Sequence, residues 1–161
     1  MLIILYTAII LGTVIIDQVT KIITDNGKSF SVVSDLLRIE PVRNPGMAFG
    51  MLSNWEYAQL MFSIVTVIIL LLVVVFLFKT TNRSKTLHTA IAFMVGGTLG
   101  NFIDRLALKE VRDFLSLDLR IQILQFNCNM ADVFITVGAV LFIVYCLFLD
   151  KDALFKRKKD K

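Results

Sequence analysis

The sequence predicts an all-α integral membrane protein with four transmembrane helices and a small extracytoplasmic β-cradle in the first outer loop. Of its 161 residues, 57% are apolar and only 19% are charged, and the mean hydropathy is +0.76. This composition is too apolar for a water-soluble domain of this length. The apolar residues also fall into four runs, each close to the ~20 residues that a helix needs to cross a bilayer.

The four runs define the predicted spans of a single membrane domain over residues 1–161. The first run has no basic flank before it and no small-residue cleavage site after it, so we expect a retained helix rather than a removable signal peptide. The predicted spans are 1–23, 57–78, 87–105 and 130–149, with outer loops 24–56 and 106–129, an inner loop 79–86 and a basic tail 150–161.

Basic residues indicate the orientation of these spans. Lys79, Arg83 and Lys85 crowd the short inner loop, and six further lysines and arginines follow the fourth span. Because lysine and arginine accumulate on the cytoplasmic side, we expect both termini in the cytoplasm and the two longer loops outside. The same pattern accounts for most of the net charge of +4, so we expect no nucleic-acid partner.

The first outer loop is predicted to fold rather than simply to connect two spans. It contains two short β-prone segments, SFSVV at 29–33 and LLRIEPV at 36–42, followed by a Pro-Gly turn in NPGMAFG at 44–50. Two such strands are too few for an independent sheet, so we expect a hairpin or cradle lying on the bilayer. A connector of this length without structure is uncommon.

Polar residues gather at the helix ends that this topology places on the outer side. Ionisable groups at the rim of a membrane bundle are costly and are usually functional. Each group alone has a structural interpretation, as a helical ion pair, a charged helix stop or a carboxylate at a helix start. Because these polar groups from several spans lie at one depth in the membrane, we favour a functional site. Its candidate residues are Asp17, Gln18 and Lys21 of the first span, Asn101, Asp104 and Arg105 of the third, Arg112 and Asp113 beyond it, and Asn129 and Asp132 of the fourth.

An asparagine precedes two of these aspartates by three residues. The pairs are Asn101 with Asp104 and Asn129 with Asp132. Residues three apart share a helix face, so each amide can hold its carboxylate or a substrate backbone. A non-catalytic scaffold would not need this arrangement.

The other residues limit the chemistry. The single histidine, His88, lies ~24 Å of helix away from Asp104, which argues against Ser–His, Cys–His and histidine-liganded zinc centres. We expect no metal and no cofactor. Paired carboxylates, of which one keeps a proton, are favoured. The residues alone do not decide which two aspartates act. They also leave open a catalytic Ser–Lys pair and a second function, that of a proton-coupled small membrane transporter. A transporter, however, would hold its carboxylates near the midplane of the membrane. The candidate aspartates are Asp17, Asp104, Asp113 and Asp132, and the candidate Ser–Lys pairs join Lys21 to Ser29, Ser31, Ser34 or Ser53.

Five segments occur in a characteristic order along the chain. They resemble the sequence boxes of the bacterial lipoprotein signal peptidases, the signal peptidase II family. That resemblance implies a four-helix membrane aspartyl endopeptidase that removes the signal peptide from prolipoproteins by cleaving just before a diacylglyceryl-modified cysteine. The segments are DQVTK at 17–21, RNPGMAFG at 43–50, GGTLGNFIDR at 96–105, VRDF at 111–114 and NMAD at 129–132.

The resemblance also assigns residues and partners. It implies Asp113 and Asp132 as the catalytic pair. It further implies lipid-modified prolipoprotein substrates, contact with membrane lipid, inhibition by globomycin-type compounds, a monomer, and a bacterial cytoplasmic-membrane location with the active site near the extracytoplasmic face. The supporting residues are Asn44, Gly46, Asn101, Asp104, Arg105, Asn129, Asp17 and Lys21.

Two residues depart from the family pattern. Arg112 stands before Asp113, where the family usually has an apolar residue, and Cys128 stands where an aromatic residue is usual. Alternation along an extended segment should direct Arg112 away from the side of Asp113. We expect Asp104 to hold Arg105 and the end of its helix.

Overall fold

The structure is a computed structural model, and it describes residues 2–33, 36–45, 57–79, 84–118 and 125–149. Within these ranges the protein is mostly helical and has one small antiparallel sheet, which confirms the predicted class at that level. The helices are α1 (Leu2–Asp25), α2 (Ala58–Lys79), α3 (Lys85–Leu108) and α4 (Met130–Val144), which continues as a π-helical turn (Tyr145–Leu149). The strands are β1 (Phe30–Val33), β2 (Leu37–Asn44), β3 (Val111–Asp118) and β4 (Gln125–Cys128).

All four helical segments are long and apolar enough to cross a membrane. Helix α2 is apolar around its whole circumference, and Leu71 and Leu72 at its centre are more than half exposed. A helix that is apolar on every side suits a lipid environment. Most of the large exposed apolar side chains lie along these helices, and a smaller group lies in and just after the first strand, at Phe30, Val32, Val33 and Leu36.

Helix α3 continues to Leu108, beyond the predicted span end at 105. The prediction stopped at the first charged residues, Asp104 and Arg105, because charge usually marks the end of a span. Asp104 is instead completely buried in protein. The helix ends at Lys109, which adopts the left-handed conformation (φ 61°) and donates its N–H to the carbonyl of Arg105.

Glycines in α3 allow the polar ends of three helices to approach closely. A Cβ atom at Gly100 would lie 2.5 Å from Oδ2 of Asp17 in α1, and one at Gly97 would collide with the backbone oxygen of Ala131 in α4. Small residues permit such contacts between membrane helices. The GGTLG segment therefore brings α1 and α4 against the end of α3 that carries the polar residues.

The sheet has the strand order β1-β2-β3-β4, and every neighbouring pair is antiparallel. Strands β1 and β2 lie in the two segments predicted to be β-prone. Strands β3 and β4 come from the second outer loop, for which no sheet was predicted. In the register of the sheet, Asp113 of β3 lies opposite Val42 of β2, and Leu115 lies opposite Cys128 of β4. Strand β4 leads directly into α4, so the sheet places Asp113 beside the start of that helix.

The opposite ends of the helices form a separate apolar core. Leu87, Ile91 and Tyr145 are buried there. Ser84 caps α3 by accepting a hydrogen bond from the backbone N–H of Leu87. His88 is also at this end, where its ring stacks on Tyr6 with centroids 5.4 Å apart. The histidine thus lies at the other end of α3 from Asp104.

Candidate active site

Asp113 is buried in strand β3 and is held by two amides. Its Oδ2 accepts a hydrogen bond of 2.9 Å from Nδ2 of Asn44, and its Oδ1 accepts one of 2.6 Å from Nδ2 of Asn129. Burial raises the pKa of Asp113, the two amide hydrogen bonds oppose that rise, and the negative charge of Asp132 adds to it. Asp113 therefore keeps a proton more readily than a surface aspartate does.

Asp132 lies in the first turn of α4, where a capping box fixes it. Its Oδ2 accepts from the backbone N–H of Asn129 (3.1 Å), and its own backbone N–H donates to Oδ1 of Asn129 (3.1 Å). The remaining oxygen, Oδ1, accepts from Nδ2 of Asn101 at 2.8 Å. Asn129 thus contacts both aspartates, because its amide nitrogen donates to Asp113.

The side-chain amide nitrogens of the two asparagines do not donate to the carboxylates that their spacing predicted, although the backbone N–H of Asn129 does contact Asp132. Asn101 donates across to α4, to Asp132, and not to Asp104 in its own helix. Asn129 precedes its helix as the N-cap, so its amide nitrogen is free to reach Asp113 in the sheet. Spacing on one helix cannot show contacts between different elements, and those contacts decide the pairing here.

A buried ionic cluster lies next to the two aspartates and connects the helices that carry their hydrogen-bond partners. Asp17, Lys21 and Asp104 each have 0% of their surface exposed. Nζ of Lys21 is 2.8 Å from Oδ2 of Asp17, 2.9 Å from Oδ1 of Asn101 and 3.3 Å from Oδ2 of Asp104. Oδ1 of Asp17 accepts from the backbone N–H of Ala131 at 2.8 Å. The predicted i,i+4 pair therefore ties α1 to both α3 and α4.

The expectation that Asp104 holds Arg105 is wrong. Asp104 accepts hydrogen bonds from Arg112, from the guanidinium at 2.6 Å and from the backbone N–H at 2.9 Å. Successive helical residues point about 100° apart, and Arg105 lies over the ring of Phe62 instead, 5.6 Å from its centroid. Arg112 lies on the side of β3 away from the carboxylate of Asp113, which is the alternation the extended segment predicted.

Gln18 was noted in the sequence as a polar residue but was given no role. Its Nε2 donates to the backbone oxygen of Gly100 at 3.0 Å and to Oδ1 of Asp104 at 3.2 Å. Its Oε1 accepts from the guanidinium of Arg112 at 2.8 Å. The available signal was an uncharged polar side chain next to Asp17 inside an apolar run.

A cavity of about 660 Å³ opens where the sheet meets the helices. Asp113 and Asp132 both line it, together with Arg105, whose Nε is buried and has no hydrogen-bond partner in the described part of the chain. Burial and the nearby carboxylates raise the pKa of the lining residue Cys128 to about 11, so its thiol stays protonated and is a poor nucleophile. The other lining residues are Asn44, Asn101, Val111, Leu117, Phe126, Asn127, Val133, Ile135, Thr136 and Val137.

The site geometry bears on the alternatives that the sequence left open. A Ser–Lys pair needs an available amine, but Lys21 directs its ammonium group to Asp17, Asn101 and Asp104. Among the described residues, no group of three or more His, Cys, Asp or Glu side chains could hold a metal ion. A transporter is not favoured, because Asp132 lies at a helix end beside the sheet. Of the candidate site residues named from the sequence, Gly46, Ser34 and Ser53 lie outside the described residues, as does Arg83 of the inner loop.

Two sequence comparisons indicate one family, and a comparison with solved structures finds the same fold in bacterial membrane enzymes. A family model described as signal peptidase II matches residues 9–148. The lipoprotein signal peptidases of Staphylococcus aureus strains JH9 and Newman are each 39% identical to this chain, over 91% of it and 88% of their own length. Two solved structures described as bacterial membrane enzymes superpose with TM-scores of 0.79 and 0.75, at 36% and 34% identity. They cover 97% and 92% of this chain and 94% of their own.

Proposed function

We propose, since this chain belongs to the signal peptidase II family, that it removes signal peptides from prolipoproteins in a bacterial membrane by aspartyl chemistry. The cleaved bond is the one just before the diacylglyceryl-modified cysteine. The observation that carries the aspartyl assignment is that Asp113 and Asp132 line one cavity and are joined through Asn129. Asp113 and Asp132 are the proposed catalytic pair.

The two carboxylates would share one proton, because two ionised carboxylates close together repel each other. The ionised member takes a proton from water as the water oxygen attacks the scissile carbonyl carbon. The protonated member donates its proton to the carbonyl oxygen, which gives a neutral tetrahedral intermediate. When the intermediate collapses, the C–N bond breaks and a proton passes to the leaving amine, so water is consumed and a carboxyl group and an amine are formed.

The neighbouring amides would hold the pair in place for this reaction. Asn44 and Asn129 each occupy one oxygen of Asp113, and Asn101 occupies one oxygen of Asp132. Amides position a carboxylate without adding charge, so the shared proton remains available. Arg105 lies in the same cavity, its buried Nε has no hydrogen-bond partner among the described residues, and it would bind an oxygen of the substrate.

The orientation follows from the basic residues of the inner loop and tail. It places both termini in the cytoplasm and the site near the extracytoplasmic surface of the cytoplasmic membrane. The sheet would then form a cradle at that surface, and the apolar residues of the cavity wall would receive the diacylglyceryl group of the cysteine that follows the membrane-embedded signal peptide. We extend the proposal to contact with membrane lipid, to a monomer as the active form, and to block of the cavity by globomycin-type inhibitors.

The substrate assignment is tested with purified protein and a matched pair of precursor peptides. The two peptides have the same sequence and differ only in the diacylglyceryl group on the cysteine. We expect cleavage just before the cysteine in the lipidated peptide and none in the other, with an Asp113→Asn preparation as the blank. Equal cleavage of both peptides, or cleavage at another bond, would contradict the proposed substrate class.

A further inference from the structure

Arg112 makes four hydrogen bonds to two residues on two different helices. Its guanidinium donates to Oδ1 of Asp104 at 2.6 Å and to Oε1 of Gln18 at 2.8 Å, and its Nε donates to Oδ2 of Asp104 at 3.3 Å. Its backbone N–H also donates to Oδ2 of Asp104, at 2.9 Å. Both the backbone and the side chain of this strand residue are therefore fastened to α3, and the side chain is also fastened to α1.

This ion pair is not a surface contact. The side chain of Asp104 is fully buried and that of Arg112 is only 14% exposed. A surface pair contributes little to stability, but a buried charge that loses its partner is strongly unfavourable. The hydrogen bonds to Asp104 also raise the pKa of Arg112, so it stays charged.

The charges of the buried cluster balance only when Arg112 is counted. Asp17 and Asp104 carry two negative charges, and Lys21 and Arg112 carry two positive ones. Without Arg112, a single ammonium group would have to neutralise both carboxylates. It would be drawn from Asn101 toward Asp104, from which it is now 3.3 Å away.

We propose that Arg112 is a positioning residue for both catalytic aspartates. This inference rests on the proposed function. It fixes Asp113 through the backbone, because the residue immediately before Asp113 is fastened to Asp104. It supports Asp132 through the cluster, because Arg112 neutralises Asp104 and leaves Lys21 in contact with Asn101, whose amide holds Asp132.

The test uses Arg112→Met, Arg112→Lys and the double variant Arg112→Met with Asp104→Asn. Each protein is purified and assayed on the lipidated peptide for kcat and KM separately, and its unfolding temperature is measured. Arg38→Met is the matched control, because Arg38 lies in the same sheet with its side chain 55% exposed and makes a long ionic contact of 3.8 Å with Glu40. Its kcat should match that of the unsubstituted protein.

We expect Arg112→Met to lower kcat roughly 10- to 100-fold while KM changes by less than about threefold, because a small displacement of a reacting group is costly. Arg112→Lys keeps the charge but loses the hydrogen bond from Nε to Asp104, and its ammonium group is one bond nearer the backbone than the guanidinium nitrogen that contacts Asp104 and Gln18, so kcat should fall roughly 3- to 10-fold. The double variant restores the charge balance, and an asparagine at 104 still accepts the backbone N–H of residue 112. Its kcat should be at least roughly fivefold higher than that of Arg112→Met.

Two results would overturn the inference. The first is a kcat within about threefold of the unsubstituted protein for Arg112→Met. The second is a loss confined to unfolding temperature or KM, which is what a purely structural role gives. If Arg112→Met does not accumulate in membranes, the same two criteria are applied to the kcat, KM and unfolding temperature of Arg112→Lys. Asp113→Asn is assayed in parallel: if it is active, the catalytic pair itself is wrong, and if it is inactive while Arg112→Met is normal, only the role of Arg112 fails.

Discussion

The side chain of Asn129 both caps a helix and holds Asp113, and the effects of these two contacts can be distinguished by different substitutions. Its carbonyl oxygen caps α4 by accepting the N–H of Asp132, and its amide nitrogen donates to Asp113 at 2.6 Å. Serine at this position keeps an oxygen for the cap, whereas alanine loses it. Neither side chain has the amide nitrogen that reaches Asp113, because the single oxygen of serine takes the place of the cap and is shorter by one bond. Asn129→Ser and Asn129→Ala should therefore differ in stability but resemble each other in activity.

The magnitudes follow from the two contacts. Losing an N-cap costs about 1 kcal/mol, which for a chain of this size lowers the unfolding temperature by roughly 2–4 °C. This loss is expected for Asn129→Ala only. A hydrogen bond to a charged group contributes about 1.5–3 kcal/mol, and ~1.4 kcal/mol corresponds to tenfold in rate. Both variants should therefore lose roughly 10- to 150-fold in kcat.

The assay measures cleavage of the lipidated peptide and thermal unfolding on the same purified samples. Ser84→Ala is the matched control, because Ser84 caps α3 at the end away from the site. It should lose stability like Asn129→Ala and keep full activity. Normal kcat in Asn129→Ala, which has no side-chain donor, would refute the reasoning, since the hydrogen bond to Asp113 would then have no part in catalysis.

Three further predictions concern pH, stability and topology. A catalytic pair that shares one proton should give a bell-shaped dependence of kcat on pH. Replacing Asn44 with leucine removes a hydrogen bond that lowers the pKa of Asp113, so that pKa rises further and one limb of the profile should move to higher pH. An unmoved profile would contradict this. Lys109→Gly relieves a left-handed conformation (φ 61°) and should stabilise the protein by roughly 1 kcal/mol without changing kcat, as thermal unfolding would reveal. An impermeant thiol reagent applied to intact cells at alkaline pH, where more of the Cys128 thiol (pKa about 11) is ionised, should label a Cys128-only variant but not a Cys146-only one. Labelling of Cys128 only after cell lysis would reverse the orientation.

The sequence was sufficient to predict the helices and the helix ends at which polar residues gather. Apolar runs of membrane-spanning length are a strong local signal, and each run lies in one of the helices of the structure. Asp17, Asn101 and Asp132 could be placed together because span ends on the same side of a membrane lie at the same depth. Those inferences needed only the lengths of the apolar runs, the positions of the polar residues and the alternation of successive spans across the membrane.

The contacts within the site could not be predicted, because they join residues distant in sequence. The assignment of Asp113 came from resemblance to a family, since Asp104 also has an arginine beside it. The structure separates them: Asp104 pairs with the cations Arg112 and Lys21, whereas Asp113 is held by amides and lines the cavity. Strands β3 and β4 were missed because their pairing, of β3 with β2 and of β4 with β3, stabilises them more than any local pattern does.

The central claim is that Asp113 and Asp132 act as one catalytic unit, and the most direct test is the kcat of four variants on one lipidated peptide. Asp113→Asn, Asp132→Asn and the double variant should each lose at least roughly a thousandfold, and the double variant should be no worse than either single one. Asp104→Asn should keep measurable activity, reduced roughly 10- to 100-fold, because Asp104 only supports the site. Substantial activity in Asp113→Asn together with none in Asp104→Asn would contradict the account and make Asp104 the partner of Asp132.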